Sequence, residues 1–139
     1  MNFSRRETLG LGLGAMALTV LPMGASAATV DELIAEFTGG ADMADTGVTL
    51  TAPEIAENGN TVPISVEAEG ASEIMVLATG NPTPPVGTFK FGPLAGSRSA
   101  STRIRLATTQ EVVAIAKLED GTFARTSAEI KVTIGGCGG

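Results

Sequence analysis

Residues 62–69 have the sequence VPISVEAE, and this stretch decides the fold class. Every even-numbered residue in it is apolar, from Val62 to Ala68, and the odd-numbered residues are proline, serine or glutamate. A two-residue period of this kind is typical of a β-strand that buries one face. Asn58-Gly59 indicates a turn just before the strand. Because proline cannot donate a hydrogen bond to a neighbouring strand, Pro63 predicts an edge strand or a bulge.

Further strands are predicted downstream, at residues 73–79, 89–91, 102–106, 111–118 and 122–134. Two irregular segments separate them. Residues 81–85 read NPTPP and break regular structure, because proline lacks the donor that a strand ladder needs. Residues 92–99 are rich in glycine and serine and are predicted to form a loop.

The last two strands are predicted to form a hairpin, because Asp120-Gly121 lies between them. Within the final strand, Phe123 has the opposite parity to Ile130 and to the other apolar residues near the end. Since alternate residues of a strand point to opposite faces, this mismatch predicts a bulge or bend near residues 126–127.

One helix is predicted before the strands. Val30, Leu33, Ile34 and Phe37 fall at the spacing of a single helical face, and acidic residues occupy the first turn, where they oppose the helix dipole. Two glycines at 39–40 end the pattern. We expect this face to pack on its own domain rather than to serve only a partner.

The strand pattern predicts that residues 28–134 form an all-β, immunoglobulin-like sandwich preceded by the short N-terminal helix. The sequence has five Phe and no Trp or Tyr. The core must therefore be built from Val, Ile, Leu and Ala. A core of this kind is thin for the size of the chain, and a partner subunit could supply the missing burial.

Residues 1–27 have the features of a twin-arginine-type signal peptide. Arg5-Arg6 forms the charged region, an apolar stretch spans residues 9–21, and residues 25–27 read ASA. Thr8 stands where a twin-arginine signal prefers Phe, so an ordinary secretory signal is the alternative. The apolar stretch is shorter than the roughly 20 residues of a membrane span, so no membrane anchor is expected. Either signal predicts a periplasmic protein.

Removal of the leader takes away two Arg and one Glu, so the mature chain has seven basic and 14 acidic residues and a net charge of −7. We expect no nucleic-acid partner, because affinity for nucleic acid depends on cationic side chains.

The chain ends in Gly135-Gly136-Cys137-Gly138-Gly139. Cys137 is the only cysteine, and an odd cysteine in an oxidising compartment must stay free, bond to another molecule or carry a modification. Glycine has no Cβ to restrict the backbone, so residues 135–139 are predicted to form a flexible, sterically thin arm. The three residues from Ile134 to Cys137 could extend the thiol by about 10 Å.

This terminal sequence resembles the C-terminus of the SoxY family, the sulfur-carrier subunits of the bacterial thiosulfate-oxidising (Sox) system. Residues 52–63, APEIAENGNTVP, resemble the first strands and turn of the same family, and the twin-arginine leader agrees with it. The resemblance spans the whole chain, and the tail is its most specific part.

The resemblance implies a carrier that is not itself an enzyme and that has no cofactor besides a sulfur adduct on Cys137. Thiosulfate would be joined oxidatively to Cys137 by the cytochrome SoxAX. The hydrolase SoxB would release sulfate, and the dehydrogenase SoxCD would oxidise the remaining sulfane sulfur. The family's companion subunit SoxZ would form a heterodimer with this chain.

Two other functions fit parts of the sequence. An exported structural or adhesion module could use Cys137 for an intermolecular disulfide. Ubiquitin-like sulfur carriers also end in two glycines and carry sulfur at the terminal carboxyl, here that of Gly139. That loading needs ATP and a cytosolic activating enzyme, so the export signal argues against it.

Arg98, Arg103 and Arg105 could recognise a sulfonate or a partner carboxylate through their forked donors. Alternating charge on the outer face of a strand more often serves only solvation, and we favour that interpretation.

Catalytic and metal-binding residues are not predicted. The chain has no His, which excludes a Ser-His-Asp arrangement, and its carboxylates suit calcium better than zinc or copper. The acidic pairs 42 with 45 and 54 with 57 do not resemble a calcium loop. Met43 and Met75 are predicted to be packing residues.

Overall fold

A computed structural model describes residues 29–136 of the 139-residue chain. The predicted signal peptide and residues 137–139 lie outside the described residues. Within residues 29–136, one helix, α1, spans Val30–Thr38. Nine strands follow: β1 Met43–Ala44, β2 Thr49–Thr51, β3 Ile55–Ala56, β4 Val62–Glu67, β5 Ala71–Ala78, β6 Pro85–Lys90, β7 Ser99–Ile104, β8 Gln110–Leu118 and β9 Phe123–Val132.

The strands form two sheets. The larger sheet has the order β1-β9-β8-β5-β6, and β3 also pairs with β9. The short strands β1 and β3 are parallel to β9, whereas the pairs β9–β8, β8–β5 and β5–β6 are antiparallel. The smaller sheet is antiparallel, with the order β2-β4-β7. This architecture confirms the predicted all-β sandwich.

A hydrophobic core fills the space between the two sheets. Its buried side chains come from alternate residues of the strands, for example Val62, Ile64 and Val66 of β4 and Ile74 and Val76 of β5. The buried members of this core are Val, Ile, Leu and Ala, as the composition predicted. Phenylalanines 89 and 91 pack against its margin and remain partly exposed.

A second core lies between the larger sheet and α1. Ile34 of the helix packs there with Leu77, Ile115 and other alternate residues of β5, β8 and β9. Phe37 meets Phe123 edge to face, with 5.9 Å between the ring centroids. The predicted packing of the helix on its own domain is confirmed. Met43 and Met75 also belong to this core, which confirms them as packing residues.

The predicted bulge near residues 126–127 is wrong, because the register between β8 and β9 is unbroken from Gln110↔Ile130 to Lys117↔Phe123. Phe123 belongs to the helix-side core and Ile130 to the core between the sheets. The larger sheet is covered on both faces along this strand. Apolar residues of both parities are therefore buried without any distortion of the ladder.

Pro63 was predicted to place its strand at an edge, and this is wrong for the strand as a whole, since β4 lies between β2 and β7. However, β2 pairs only with Ser65–Glu67 of β4, while Pro63 pairs with Arg103 of β7. Pro63 thus lies beyond the end of β2. The strand has one neighbour at that position, so the proline disrupts no second ladder.

Helix α1 begins with a capping box. The Thr29 hydroxyl accepts a hydrogen bond from the Glu32 backbone N–H, and the Glu32 carboxylate accepts one from the Thr29 N–H. These bonds satisfy donors that the helix leaves free at its first turn. Gly39, with φ of 66°, ends the helix. Within residues 29–136, the structure contains no helix with the length and apolar character needed to cross a membrane.

Candidate functional site

The segment after β9 stays attached to the body of the sandwich. The backbone N–H of Lys131 donates to the Glu54 carbonyl at 2.9 Å, and that of Thr133 donates to the Ala56 carbonyl at 3.0 Å. Residues 54–59 therefore run alongside the last residues of the final strand. This path leads both segments to the same place at one end of the sandwich.

Three backbone segments meet there, and we call the arrangement the backbone junction. It consists of Gly59, Leu106 and residues 134–136. The Gly59 N–H donates to the Ile134 carbonyl at 2.7 Å, the Leu106 N–H donates to the Gly59 carbonyl at 2.8 Å, and the Gly136 N–H donates to the Leu106 carbonyl at 2.8 Å. Each segment thus donates one hydrogen bond and accepts another.

The junction requires glycine because the backbones approach so closely. A Cβ on Gly136 would lie 2.6 Å from the Gly59 carbonyl oxygen, and a Cβ on Gly59 would collide with the Leu106 carbonyl oxygen. Gly135 is equally restricted, since its Cβ would collide with the Ala107 carbonyl oxygen. Real Cβ atoms essentially never make contacts this short. Gly59 and Gly136 are both buried.

The loop that carries Leu106 is fixed from its other side by two buried polar side chains, Asn81 and Gln110. The Asn81 amide group donates to the Arg105 carbonyl at 2.8 Å, and its carbonyl oxygen accepts from the Ala107 N–H at 2.9 Å. Gln110 donates to the Asn81 carbonyl oxygen at 2.8 Å. These bonds hold both backbone neighbours of Leu106 in place.

The residues predicted to form the flexible arm, 135–139, fall into two groups. Cys137, Gly138 and Gly139 lie outside the described residues, and their roles stay predictions. Gly135 and Gly136 lie against the body at the junction. This placement differs from an arm that leaves the sandwich directly after Ile134. The flexibility of residues 135–136 stays a prediction as well.

The three arginines singled out in the sequence do not form one site. Arg98 is largely buried, pairs with Glu119 at 2.9 Å and donates to the carbonyls of the loop at residues 91–92. It therefore ties that loop to the β8–β9 hairpin. Arg103 and Arg105 are exposed and line a groove between β6 and β7, where Arg103 donates to the Thr61 hydroxyl at 3.3 Å.

The acidic pairs at 42 and 45 and at 54 and 57 are not joined by further possible metal ligands in the described part of the chain. Among the described residues, no group of three or more His, Cys, Asp or Glu side chains could hold a metal ion.

Sequence reasoning missed the residues that hold the end of the chain. Gly59 was interpreted only as part of a turn before a strand, and Asn81 only as part of a break in regular structure. An Asn-Gly pair indicates local backbone geometry. It cannot indicate that the same glycine is approached by a segment about 75 residues further along the chain.

Comparison with known proteins gives a match at the level of sequence. The family described as sulfur oxidation protein SoxY matches residues 34–137, which include all the strands of the sandwich and Cys137. A search of curated protein sequences gives no match.

Solved structures with the same fold include one from this family. The sulfur carrier protein SoxY from Chlorobium limicola f thiosulfatophilum is 33% identical, with a TM-score of 0.66, over 75% of this chain and 91% of that chain. A variant of superoxide reductase (neelaredoxin) from Ignicoccus hospitalis has a TM-score of 0.55 at 19% identity, over 76% of this chain and 93% of that chain. At that identity the likeness shows the fold alone.

The family match extends over most of the chain and ends at its only cysteine. The Chlorobium carrier has the same sandwich along almost its full length. On both grounds, the chain belongs to the SoxY family of sulfur oxidation proteins.

Proposed function

We propose that this protein is a periplasmic carrier that holds sulfur-oxidation intermediates covalently on Cys137 and presents them to partner enzymes. The observation that carries the proposal is the family match, which reaches Cys137 in a chain with no other cysteine. A solved relative with the same fold is itself a sulfur carrier protein. Export to the periplasm is supported by the twin arginines and the apolar stretch at residues 1–27.

The loading step forms one S–S bond. The Cys137 thiol loses a proton, and its sulfur bonds to the outer sulfur of thiosulfate. Two electrons leave the pair of sulfurs and pass to the cytochrome SoxAX. Water then attacks the sulfone group, which departs as sulfate and leaves a persulfide on Cys137. The hydrolase SoxB performs that step. The sulfane dehydrogenase SoxCD then oxidises the outer sulfur of the persulfide to a sulfone while it stays attached to Cys137. Water supplies the oxygen atoms, protons are released, and the dehydrogenase accepts the electrons.

The carrier supplies the Cys137 thiol and brings it to the partner enzymes, and the partner enzymes supply the catalysis. An exposed thiol has a pKa of about 8.5, so only about 3% of it is thiolate at neutral pH. The chain has no His that could act as its base. Activation of the thiol therefore belongs to the partner's active site. The tail brings the thiol to that site. Residues 135, 136, 138 and 139 are glycines, so no side chain next to Cys137 widens the tail.

Intact-mass measurement of the protein from its native host tests this function. We expect sulfur-containing adducts in the native chain and none in Cys137→Ala, with equal thermal melting of the two proteins. Adducts that persist in Cys137→Ala and map to the Gly139 carboxyl would contradict the proposal and support thiocarboxylate chemistry. A native protein found only as free thiol or disulfide-linked homodimer would support the structural or adhesion module instead.

A further inference from the structure

We propose that Gly59 is a positioning residue for the carrier arm, here residues 135–139, and that the backbone junction is the arm's docking point. In the docked state, Gly135 and Gly136 lie on the body of the sandwich instead of forming part of a free arm. The longer arm becomes available only when the junction opens. This inference rests on the proposed function, because it concerns how the thiol of Cys137 is presented.

The hydrogen-bond pattern supports docking. Gly59 contacts the tail through its own N–H, whereas Gly136 contacts Leu106 and not Gly59 through its N–H. Two different segments of the sandwich therefore form hydrogen bonds with the tail, one at the Ile134 carbonyl and one at the Gly136 N–H. Release of the tail requires both bonds to break. Gly59 can keep its bond from Leu106 when that happens, while the Gly59 N–H and the Leu106 carbonyl lose their partners in the tail.

Among the described glycines, only those at the junction would bring a Cβ within 3 Å of another segment's backbone, since the short contact at Gly80 is with the Gln110 side chain. A Cβ would collide at Gly59, Gly135 and Gly136, all three at the junction. By contrast, a Cβ on Gly92 or Gly96 would meet nothing within 4 Å. If glycine served only to keep the tail itself narrow, residue 59 on the opposing segment would not have to be glycine. Glycine at residue 59 is explained by close approach of the tail and of Leu106.

The backbone around Leu106, which accepts the hydrogen bond from Gly136, is fixed by several contacts. Leu106 is fully buried, and the Asn81 and Gln110 side chains fix the backbone of the residues on either side of it. The Thr109 hydroxyl also accepts a hydrogen bond from the Val132 N–H at 2.9 Å, which ties the same loop to the end of β9. The acceptor for Gly136 is therefore held in place before the tail arrives.

Docking changes the reach of the thiol. The Cα of Cys137 lies about 3.8 Å from that of Gly136 by covalent geometry, so a docked arm keeps the thiol close to the body. Opening the junction back to Ile134 frees two more residues and adds roughly 7 Å of reach. A partner with a deep active site would thus have to open the junction, whereas a partner with a shallow site would not.

Amide hydrogen exchange on the mature full-length protein tests the docking. We expect the N–H of Gly136, which lies almost at the end of the chain, to exchange at least about tenfold more slowly than in an unstructured peptide. In Gly136→Ala, the new Cβ should displace the tail. The Gly59 N–H then loses its acceptor and its protection, while the N–H groups of Leu106 and of Ile115 in the core remain protected.

Gly96→Ala is the matched control, because it adds the same methyl group in open space, and it should leave every one of these rates unchanged. Gly59→Ala tests the junction from the opposite side and should deprotect Gly136. Since Gly59→Ala could also weaken the sandwich, its melting temperature is measured in parallel. An unprotected Gly136 N–H in the native protein, or a Gly59 N–H that stays protected in Gly136→Ala, would overturn the proposal.

A labelling experiment connects docking to presentation. A small thiol reagent should label Cys137 at similar rates in the native protein and in Gly136→Ala, whereas a bulky reagent should label the variant several-fold faster. Equal rates with the bulky reagent would overturn the claim about reach. Cys137→Ser separates this inference from the proposed function, because it should lose all sulfur carriage and still protect the Gly136 N–H.

Discussion

At the scale of single residues, Asn81 shows how a loop side chain can act as a structural centre. It is buried and forms hydrogen bonds with Arg105, Ala107 and Gln110. In Asn81→Ala, the Arg105 carbonyl and the Ala107 N–H would lose their side-chain partner inside the protein. We expect the free energy of unfolding to fall by about 2 kcal/mol, since a buried polar group left without a partner costs about 1–3 kcal/mol.

Chemical denaturation measures this change, and Asn58→Ala provides the control. The Asn58 side chain is exposed and accepts a local bond from the Asn60 N–H, so its loss should cost less than half as much. Equal effects of the two substitutions would show that Asn81 does not organise the loop.

Asp120, in the β8–β9 hairpin, provides a prediction about pH. The Thr122 hydroxyl donates to its carboxylate at 2.6 Å and the Thr122 N–H at 2.9 Å, and these bonds lower the pKa of Asp120 below its usual 3.8. A lowered pKa means that the stabilisation is fully present above pH 3.8 and is lost as the pH falls through the folded-state value. In Thr122→Val, which removes the stronger donor, an NMR titration should show the midpoint of Asp120 moving up toward 3.8.

The exposed Thr83→Val substitution should leave that midpoint unchanged. An Asp120 that titrated at its usual pKa in the native protein would contradict this account of the turn.

The residue scale also shows what the sequence could reveal about the site. A single cysteine between pairs of glycines indicates its chemistry locally, because no other residue in the chain could do the same work. Gly59 and Leu106 gain their role only from the fold, which brings them to the end of β9. No local pattern distinguishes such a glycine from one in an ordinary turn.

At the scale of elements, alternation predicted the strands whose two faces have different surroundings. In β9, where both faces are covered, the same reasoning led to the wrong prediction of a bulge. β4 alternates because one face lies in the core between the sheets and the other is exposed or half-buried. β5 and β8 each contain an unbroken apolar run of five residues, 74–78 and 112–116, because α1 covers the outer face of their sheet. The sequence contained both signals, the amphipathic helix and the mixed parity of β9. Together they indicate a sheet that is buried on both faces.

Helix α1 should accordingly stabilise the sheet on which it lies. Phe37 is partly buried and contacts Phe123 edge to face. In Phe37→Ala, we expect a loss of about 2 kcal/mol in the free energy of unfolding, below the range for a fully buried phenylalanine. Thermal melting measures the loss, and the exposed neighbour Glu36→Ala should change it little. A melting curve of Phe37→Ala equal to that of the native protein would mean that the helix packs without contributing to stability.

At the scale of the whole molecule, composition and turn spacing were enough to predict a sandwich, but not the two-residue strands β1 and β3. These pair in parallel with β9 and are too short to have a periodicity of their own. They exist because β9 offers an edge beyond β8, and β3 directs residues 54–59 toward the junction. A feature of this kind follows from the assembled sheet and not from the segment that forms it.

Binding of the companion subunit SoxZ is also expected to depend on the surface of the whole molecule. The core between the sheets is built from small and medium apolar side chains, and three large apolar side chains in the described part of the chain, Ile55, Leu94 and Ile134, are exposed. We expect co-expression with SoxZ to give a 1:1 complex that survives size-exclusion chromatography. An interface of that stability would bury at least about 1,200 Å² in total.

Twin-arginine export moves folded proteins, and a partner bound before export would cross the membrane with this chain. Replacing Arg5 and Arg6 with Lys should therefore retain both subunits in the cytoplasm, which cell fractionation would measure for each chain separately. The control is a replacement of Arg98 with Lys, outside the leader. It keeps the positive charge near Glu119 and should leave export of both subunits unchanged. A companion that reached the periplasm normally beside the Arg5 and Arg6 variant would show that the two subunits are exported independently, and the heterodimer would then have to assemble after export.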